Sequence, residues 1–368
     1  MSTLWEIIRH EIHKSGILPF ARFMELALYC PDCGYYETKV DIGRRGDFYT
    51  SVSAGELFGQ LLAFQFANWL ETEVPKSKVR IVEAGAHNGQ LAKDILSWLQ
   101  SSRPELFSQI EYAIIEPSVR RREWQKETLA GFKEQIGWLE QISDLKNRQP
   151  AIGNRQFTIV FSNELLDACP VHRFGWDANG KKWFEWGVAA DGDKLVWAKL
   201  ENSELPASIL NLPSSLLAVL PDGYILETSP AAENWWREAG GVLARGKLLT
   251  IDYGFTDGEM LSPDRPRGTL RAYFRHHVTD NLLANPGELD LTAHVNFSAI
   301  RKAGEEAELK TEFFGSQAKF LTEILAKTAG NNSFGVWNAK QNRQFQTLTH
   351  PEHLGRAFRA LVQSRQSS

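Results

Sequence analysis

The stretch from Lys78 to Leu99, KVRIVEAGAHNGQLAKDILSWL, constrains the fold of this chain most strongly. It begins with a short run of β-branched apolar residues ended by glycine, which predicts a buried strand. Gly85 and Gly89 bound a tight loop, and leucine and isoleucine then recur at helical spacing. A strand, a glycine loop and a helix predict an open α/β sheet, in which ligands bind beyond the carboxyl ends of the strands.

The loop follows the pattern E-x-G-x-x-x-G, with Glu83 ahead of the first glycine. It lacks the G-x-G-x-x-G of dinucleotide-binding proteins, so a NAD-dependent enzyme is the disfavoured alternative. Glycine lets the backbone turn sharply and approach a ligand closely. A carboxylate before such a loop suits a cationic or amino-acid-bearing ligand such as S-adenosylmethionine. A plain strand–helix turn is the alternative interpretation.

A second acidic strand end follows about one βαβ unit later, at Glu116. Tyr112 to Ile115 precede it as an apolar strand, and a carboxylate at this point can accept both hydroxyls of an adenosine ribose. Two acids on adjacent strand ends, flanking a glycine loop, indicate a nucleoside-bearing ligand more specifically than the loop alone.

A third strand, Gln156 to Phe161, ends in a polar segment that contains Asn163, Glu164 and Asp167. Strand ends of this type often hold catalytic groups. The alternative interpretation is that Glu164 is a surface acid and Asp167 a helix cap.

Before the first strand, Gly43 to Ser51 mixes glycine, charged, aromatic and hydroxyl residues, which indicates a lid or cofactor clamp, or else an ordinary connector ahead of a helix.

The composition is 43% hydrophobic and 23% charged, which is typical of a globular protein. A net charge of −4 gives no global basic field, so we predict no nucleic-acid partner. No apolar run approaches the roughly 18–20 residues that a membrane span needs. The N-terminal residues match neither a signal nor a transit peptide. We therefore expect a cytoplasmic protein without membrane insertion.

Three cysteines do not make a disulfide framework. Cys30 and Cys33 form a C-x-x-C, which supplies half of a zinc site, but only Cys169 remains among the thiols. We interpret this segment as a loop between helices and predict no metal. A zinc site completed by histidine is the alternative.

The chain is predicted to form four parts. Residues 1–75 form a helical region with the cofactor-covering loop, and 76–170 together with 224–330 form the α/β core. Residues 171–200 alternate aromatic and polar side chains with hairpin signals at Asn179-Gly180 and Asp191-Gly192, which predicts an antiparallel β insert. This Trp-rich insert can cover a substrate channel, bind a peptide or form a homodimer. Residues 331–368 are a C-terminal extension, with a disordered tail from Gln363.

Eight motifs in order closely resemble the MidA-like class I S-adenosylmethionine-dependent methyltransferases. They are GYY at Gly34 to Tyr36, GDFYTS at Gly46 to Ser51, Phe58-Gly59, the Glu83 loop, SNELLDACPV at Ser162 to Val171, IDYG at Ile251 to Gly254, GTLRAY at Gly268 to Tyr273 and PGELDLTAHVNF at Pro286 to Phe297. The resemblance implies a seven-stranded, mostly parallel Rossmann-like sheet. It also implies S-adenosylmethionine as cofactor and a protein arginine as acceptor, because the mitochondrial members are complex I assembly factors that symmetrically dimethylate one. A respiratory complex I subunit is thus the partner that the resemblance implies.

The residues and the resemblance together give two sets of site predictions. The predicted cofactor-binding residues are Gly46, Asp47, Thr50, Ser51, Glu83, Gly85, Ala86, Gly89, Glu116 and Asn163. The predicted catalytic residues are Asn163, Glu164 and Asp167, with Glu164 pairing with a guanidinium.

The first loop departs from the family pattern E-x-G-P-G-x-G-x-L at two positions. Ala86 replaces the proline and His87 the middle glycine, and a side chain at position 87 narrows the methionine pocket if φ there is positive. His87 is the feature that favours one alternative, a binding or assembly module that retains the fold. A small-molecule methyltransferase is a separate alternative.

Overall fold

In the computed structural model, the residues described are 3–38, 50–73, 79–148, 156–200, 203–274, 277–328 and 334–366. The chain divides into two compact units. The first unit groups Met1–Lys39, Leu166–Glu233 and Phe255–Ala299, and the second unit groups Val40–Leu165, Asn234–Gly254 and Ile300–Ser368. Across the part of the chain that is described, no helix is long and apolar enough to cross a membrane.

The strands of the described residues are numbered in chain order. They are β1 (Leu18–Pro19), β2 (Val79–Ala84), β3 (Ile110–Ile115), β4 (Ile136–Leu139), β5 (Thr158–Asn163), β6 (His172–Asp177), β7 (Lys182–Asp191), β8 (Lys194–Leu200), β9 (Ile225–Thr228), β10 (Gly246–Phe255), β11 (Arg271–Phe274), β12 (His277–Thr279), β13 (Asp290–Thr292), β14 (Val295–Asn296), β15 (Lys310–Ser316) and β16 (Phe358–Arg365).

The α-helices are numbered in the same way. They are α1 (Leu4–Ser15), α2 (Phe20–Tyr29), α3 (Tyr35–Thr38), α4 (Leu57–Glu73), α5 (Gln90–Ser102), α6 (Pro104–Phe107), α7 (Val119–Thr128), α8 (Ala207–Leu210), α9 (Ser214–Leu217), α10 (Pro230–Val242), α11 (Asp257–Met260), α12 (Phe297–Glu306), α13 (Gln317–Thr328), α14 (Ala339–Thr349) and α15 (Leu354–Ala357).

The second unit is built on a sheet in the order β15-β16-β10-β5-β2-β3-β4. From β4 to β10 the neighbouring strands are parallel. β16 runs antiparallel to both β10 and β15, so β15 points the same way as the parallel strands. All six residues of β2 are buried, as expected for a central strand covered on both faces. The predicted mostly parallel, seven-stranded sheet is confirmed.

Helices α4 and α5 pack closely in the second unit. Their apolar side chains join those of the strands in one buried cluster that includes Phe64, Leu96 and Phe161. A Cβ placed on Gly59 would lie 2.6 Å from the Cβ of Asp94, so the helices approach each other at a point that admits only glycine. The first loop lies between the carboxyl end of β2 and the start of α5, so both elements position it.

The first unit contains two antiparallel sheets. One has the order β1-β7-β6-β9 with β8 paired to β7, and the other has the order β12-β11-β13. The predicted hairpins lie between β6 and β7 and between β7 and β8. Trp176 and Trp183 of the insert are buried in a cluster with Phe174 and Tyr224. These two tryptophans therefore stabilise the unit's own core.

The structure divides the chain differently from the four predicted segments. Residues 224–330 are predicted to belong to the α/β core, but β9, near the start of that range, pairs antiparallel with β6 in the first unit. The prediction of a disordered tail from Gln363 was wrong as far as Arg365, because β16 lies between β10 and β15 in the central sheet.

Candidate functional site

Glu83 lies at the end of β2, buried with 2% of its surface exposed. Its Oε2 accepts a hydrogen bond of 2.5 Å from the hydroxyl of Tyr112 on β3. Burial raises the pKa of Glu83 to about 7; the hydrogen bond from Tyr112 opposes this rise, and the charge of Asp94 adds to it. The carboxyl group therefore changes charge near neutral pH, where a bound cation would favour the ionised form.

The first loop needs glycine at both of its predicted positions. Gly85 and Gly89 have φ angles of 76° and 84°, in the left-handed region. A Cβ on Gly85 would lie 3.0 Å from Leu165, and one on Gly89 would lie 3.0 Å from Leu129. The backbone conformation and the close packing both select glycine at these two positions.

His87 also has a positive φ, at 45°. This is the condition under which the sequence predicts a narrowed methionine pocket, and the conformation is one that L-residues other than glycine seldom adopt. The imidazole lies near the indole of Trp124, with ring centroids 6.1 Å apart. Ala86, the other departure from the family pattern, is buried and accepts a 2.7 Å hydrogen bond from the backbone N–H of Gly89.

Glu116 follows β3 and is held by three neighbours. Its Oε1 accepts a 2.9 Å hydrogen bond from the backbone N–H of Ser118 and lies 3.0 Å from Nε of Arg121. Its Oε2 accepts a 3.2 Å hydrogen bond from Nε2 of Gln125. Only 2% of Glu116 is exposed, so the carboxylate is oriented before any ligand arrives.

Asn163 and Glu164 lie together at the end of β5. Oε1 of Glu164 accepts hydrogen bonds from the backbone N–H of Ser51, at 3.1 Å, and from Nδ2 of Asn163, at 3.0 Å. Glu164 has a φ of 52°. Strained residues of this kind cluster at functional sites. His87 of the first loop is the other residue with a side chain and a positive φ near the predicted site residues.

The segment 50–53 connects to this strand end through Ser51. The side chain of Ser51 is fully buried, and its hydroxyl lies 3.0 Å from Oε1 of Gln317. Thr50 and Ser53 exchange hydrogen bonds between side chain and backbone in both directions, at 2.9 and 3.0 Å. Gly46 and Asp47, predicted to bind the cofactor in the same loop, lie outside the described residues.

The end of β5 carries an unsatisfied hydrogen-bond acceptor. Oδ1 of Asn163 is buried and has no hydrogen-bond partner among the described residues. An unsatisfied buried acceptor costs about 1–3 kcal/mol, so a bound ligand that donates a hydrogen bond there would recover that free energy. S-adenosylmethionine has an ammonium group, ribose hydroxyls and an adenine amine, and the glycine loop, two buried acids and this amide fit those groups.

Asp167 belongs to the first unit, whereas the other predicted site residues that the structure describes belong to the second unit. It is 5% exposed, and burial raises its pKa to about 7. Its backbone oxygen accepts a 2.9 Å hydrogen bond from Ala293. Burial has the largest effect on the pKa of Tyr36 and raises it, and the negative charges of Asp290 and Asp167 raise it further. The hydroxyl of Tyr36 donates a hydrogen bond of 2.8 Å to Oδ1 of Asp290.

Three residues at the site were missed by the sequence analysis. Tyr112 donates to Glu83, and Gln125 and Arg121 hold Glu116. Ser118, whose hydroxyl caps α7, was a local signal for the start of that helix. No local signal existed for Tyr112 or Gln125, because their contacts depend on strand register and helix packing.

Among the described residues, no group of three histidine, cysteine or acidic side chains could hold a metal ion. Sγ of Cys33 lies 3.2 Å from Sγ of Cys30. Burial and the hydrogen bond from Cys33 raise the pKa of Cys30 to about 12. This thiol therefore stays protonated at neutral pH.

The chain was compared with known proteins. Residues 61–315 match the model of a family described as "Putative S-adenosyl-L-methionine-dependent methyltransferase". A protein from Burkholderia thailandensis, crystallised with S-adenosyl-homocysteine, is 32% identical, with a TM-score of 0.80 over 98% of this chain and 92% of that one.

Curated relatives are similar over most of their length. The protein arginine methyltransferase NDUFAF7 of Danio rerio is 29% identical over 96% of this chain and 85% of its own. The Drosophila melanogaster homologue is 26% identical over 96% of this chain and 83% of its own. Both, like the Homo sapiens protein, are described as mitochondrial, so the prediction of a cytoplasmic protein was wrong.

The match extends over more than half of the chain and includes the glycine loop and both acidic strand ends. S-adenosylmethionine is the cofactor of that family, and the residues at the end of β2, β3 and β5 fit it. The chain belongs to the S-adenosyl-L-methionine-dependent methyltransferase family.

Proposed function

We propose that this protein transfers a methyl group from S-adenosylmethionine to a guanidinium nitrogen of an arginine in a protein. The arginine acceptor is supported by the names of the curated relatives, which are protein arginine methyltransferases. It is also supported by the carboxylate of Glu164, fixed by two hydrogen bonds at the end of β5. This fixed carboxylate is the structural observation that chiefly supports an arginine as the acceptor.

The cofactor-binding roles follow from chemistry at each strand end. Glu83 and the loop from Gly85 to Gly89 hold the amino-acid end, because an ionised carboxylate attracts an ammonium group. Glu116 accepts the ribose hydroxyls. Asn163 offers its buried Oδ1 to a donor on the ligand. The backbone N–H of Ser51 connects segment 50–53 to Glu164.

The cofactor supplies an electrophilic methyl group on a sulfonium. The chain's task is to place one acceptor nitrogen in line with it, and good placement alone lowers the barrier by several kcal/mol. Glu164 pairs with the guanidinium, aligns that nitrogen and stabilises the charge that stays on the methylated product. Asp167 stays a proposed third catalytic residue, and burial raises its pKa to about 7.

The test follows a labelled methyl group into its product. The purified protein is incubated with tritiated S-adenosylmethionine and an extract of cells from which its gene has been deleted. We expect label in protein, recovered as methylarginine after acid hydrolysis. Label in another amino acid would disprove the arginine acceptor. Label confined to the low-molecular-weight fraction would support a small-molecule methyltransferase instead, and no label despite cofactor binding would favour the binding-module alternative.

Two further predictions concern partners. By the family resemblance, we propose that the acceptor is a subunit of respiratory complex I, and mass spectrometry of the labelled protein tests this. A homodimer also stays a prediction, and sedimentation of the purified chain tests it. Neither changes the chemistry proposed for Glu164.

A further inference from the structure

Gln125 is a buried side chain that connects three elements around the proposed cofactor site. It lies on α7 with none of its surface exposed. Its Nε2 donates to the backbone oxygen of His87 at 2.9 Å and to Oε2 of Glu116 at 3.2 Å. Its Oε1 accepts a 2.8 Å hydrogen bond from the indole of Trp138 on β4.

We propose that Gln125 is a positioning residue that sets the orientation of Glu116 toward the cofactor's ribose and ties it to the first glycine loop. This rests on the ribose-binding role proposed for Glu116. The carboxamide has a fixed orientation because Trp138 can only donate and therefore faces the oxygen. The amide hydrogens are thereby directed at His87 and Glu116.

The contact with His87 gives the amide a second effect. His87 has a φ of 45°, so its peptide oxygen is held in a strained conformation. A hydrogen bond from a fully buried donor stabilises that conformation. The loop that faces the amino-acid end of the cofactor and the acid that faces the ribose are thus held by one side chain.

The packing of α7 explains why glutamine occupies this position. A Cβ on Gly89 would lie 3.5 Å from the Cα of Gln125, so the helix backbone rests directly on the loop. A shorter side chain at position 125 would not reach both acceptors, and a glutamate would bury a second carboxylate beside Glu116. Glutamine meets both requirements and leaves no buried polar atom of its own unsatisfied.

The test measures how well the protein recognises the ribose hydroxyls. Calorimetry gives the affinities of S-adenosylhomocysteine and its 2′-deoxy analogue for the wild type and for Gln125→Met, which has similar volume. A hydrogen bond to a charged acceptor contributes about 10-fold or more in affinity, so we expect the wild type to prefer the hydroxylated ligand by at least about 10-fold. In Gln125→Met that preference should fall to about 3-fold or less.

Three further variants make the result specific. Gln65→Met also changes a buried glutamine of the second unit, whose Oε1 accepts from Lys327 at 3.1 Å, and it should keep the wild-type preference. Trp138→Phe removes only the donor to Gln125 and should lower the preference partly, which gives an answer even if Gln125→Met does not fold. An unchanged preference in both Gln125→Met and Trp138→Phe, or equal losses for the two ligands, would overturn the proposal. Loss of the preference in Glu116→Gln distinguishes a failed role for Gln125 from a failed role for Glu116.

Discussion

The hydroxyl of Tyr112 donates to Oε2 of Glu83 at 2.5 Å, between neighbouring parallel strands. Both side chains are buried, and burial raises the pKa of each. For Glu83 the hydrogen bond acts in the opposite direction, because it stabilises the carboxylate. Tyr112 therefore helps to determine how much of Glu83 is charged at neutral pH, and so how well the first loop attracts a cation.

Tyr112→Phe should weaken cofactor binding in a pH-dependent way. Without the hydroxyl, the pKa of Glu83 rises further above about 7, and less of the carboxylate is ionised at pH 7. We expect the affinity for S-adenosylhomocysteine to be about 10-fold below that of the wild type at pH 7, and this difference from the wild type to close by pH 9. Calorimetric titration between pH 6 and 9 measures this, with Tyr224→Phe in the first unit as a control. A pH profile equal to the wild type's would contradict the role of Tyr112.

Glu83→Gln should stabilise the ligand-free protein at alkaline pH. The pKa of Glu83 is raised by folding, so its contribution to stability is complete below its unfolded value of 4.5 and is lost as pH rises through about 7. The loss amounts to roughly 3 kcal/mol. Urea unfolding of the variant and the wild type should therefore agree near pH 4.5 and differ most above pH 8. Equal stability at all pH values would show that Glu83 is not strained by burial.

The local signals in the sequence predicted where the strands β2 and β3 end and where the first glycine loop lies. Glu83, Gly85 and Glu116 are marked by a short apolar run followed by an acid or glycine, and such patterns need no knowledge of tertiary structure. Tyr112 could not be found in this way. It pairs in register with Ile81, and only the packing of both strands brings its hydroxyl to Glu83 two positions further on.

Long-range pairing also explains the missed strand. The segment Phe358 to Arg365 lies far from β10 in the chain, yet all eight of its residues pair with Gly246 to Tyr253. Its polar Gln363 and Ser364 are buried, and Gln363 accepts a 2.7 Å hydrogen bond from the indole of Trp236. A strand with buried polar residues does not show the apolar pattern from which central strands are predicted.

His87→Gly tests whether the first loop restricts the cofactor. Glycine adopts the observed φ of 45° without strain, and it removes the ring from the loop. We expect the affinity for S-adenosylhomocysteine to rise by about 3-fold or more, while stability changes by less than about 1 kcal/mol. Asp32→Gly, at another positive-φ position in the first unit, is the control. A clear loss of affinity in His87→Gly would mean that the imidazole itself supports binding.

Glu164→Gln separates methyl transfer from cofactor binding. Glutamine keeps an oxygen that can accept hydrogen bonds from Ser51 and Asn163, so the end of β5 and segment 50–53 should stay in place. It removes the charge that pairs with a guanidinium, and charge-assisted hydrogen bonds are about twice as strong as neutral ones. We expect kcat for methylation to fall about 100-fold and S-adenosylhomocysteine affinity to stay within about 3-fold. Glu56→Gln, a surface carboxylate of the second unit that pairs with Lys340, should change neither quantity. Equal losses of turnover and affinity in Glu164→Gln would place Glu164 among the residues that hold the cofactor, and the acceptor-pairing role would then pass to another carboxylate.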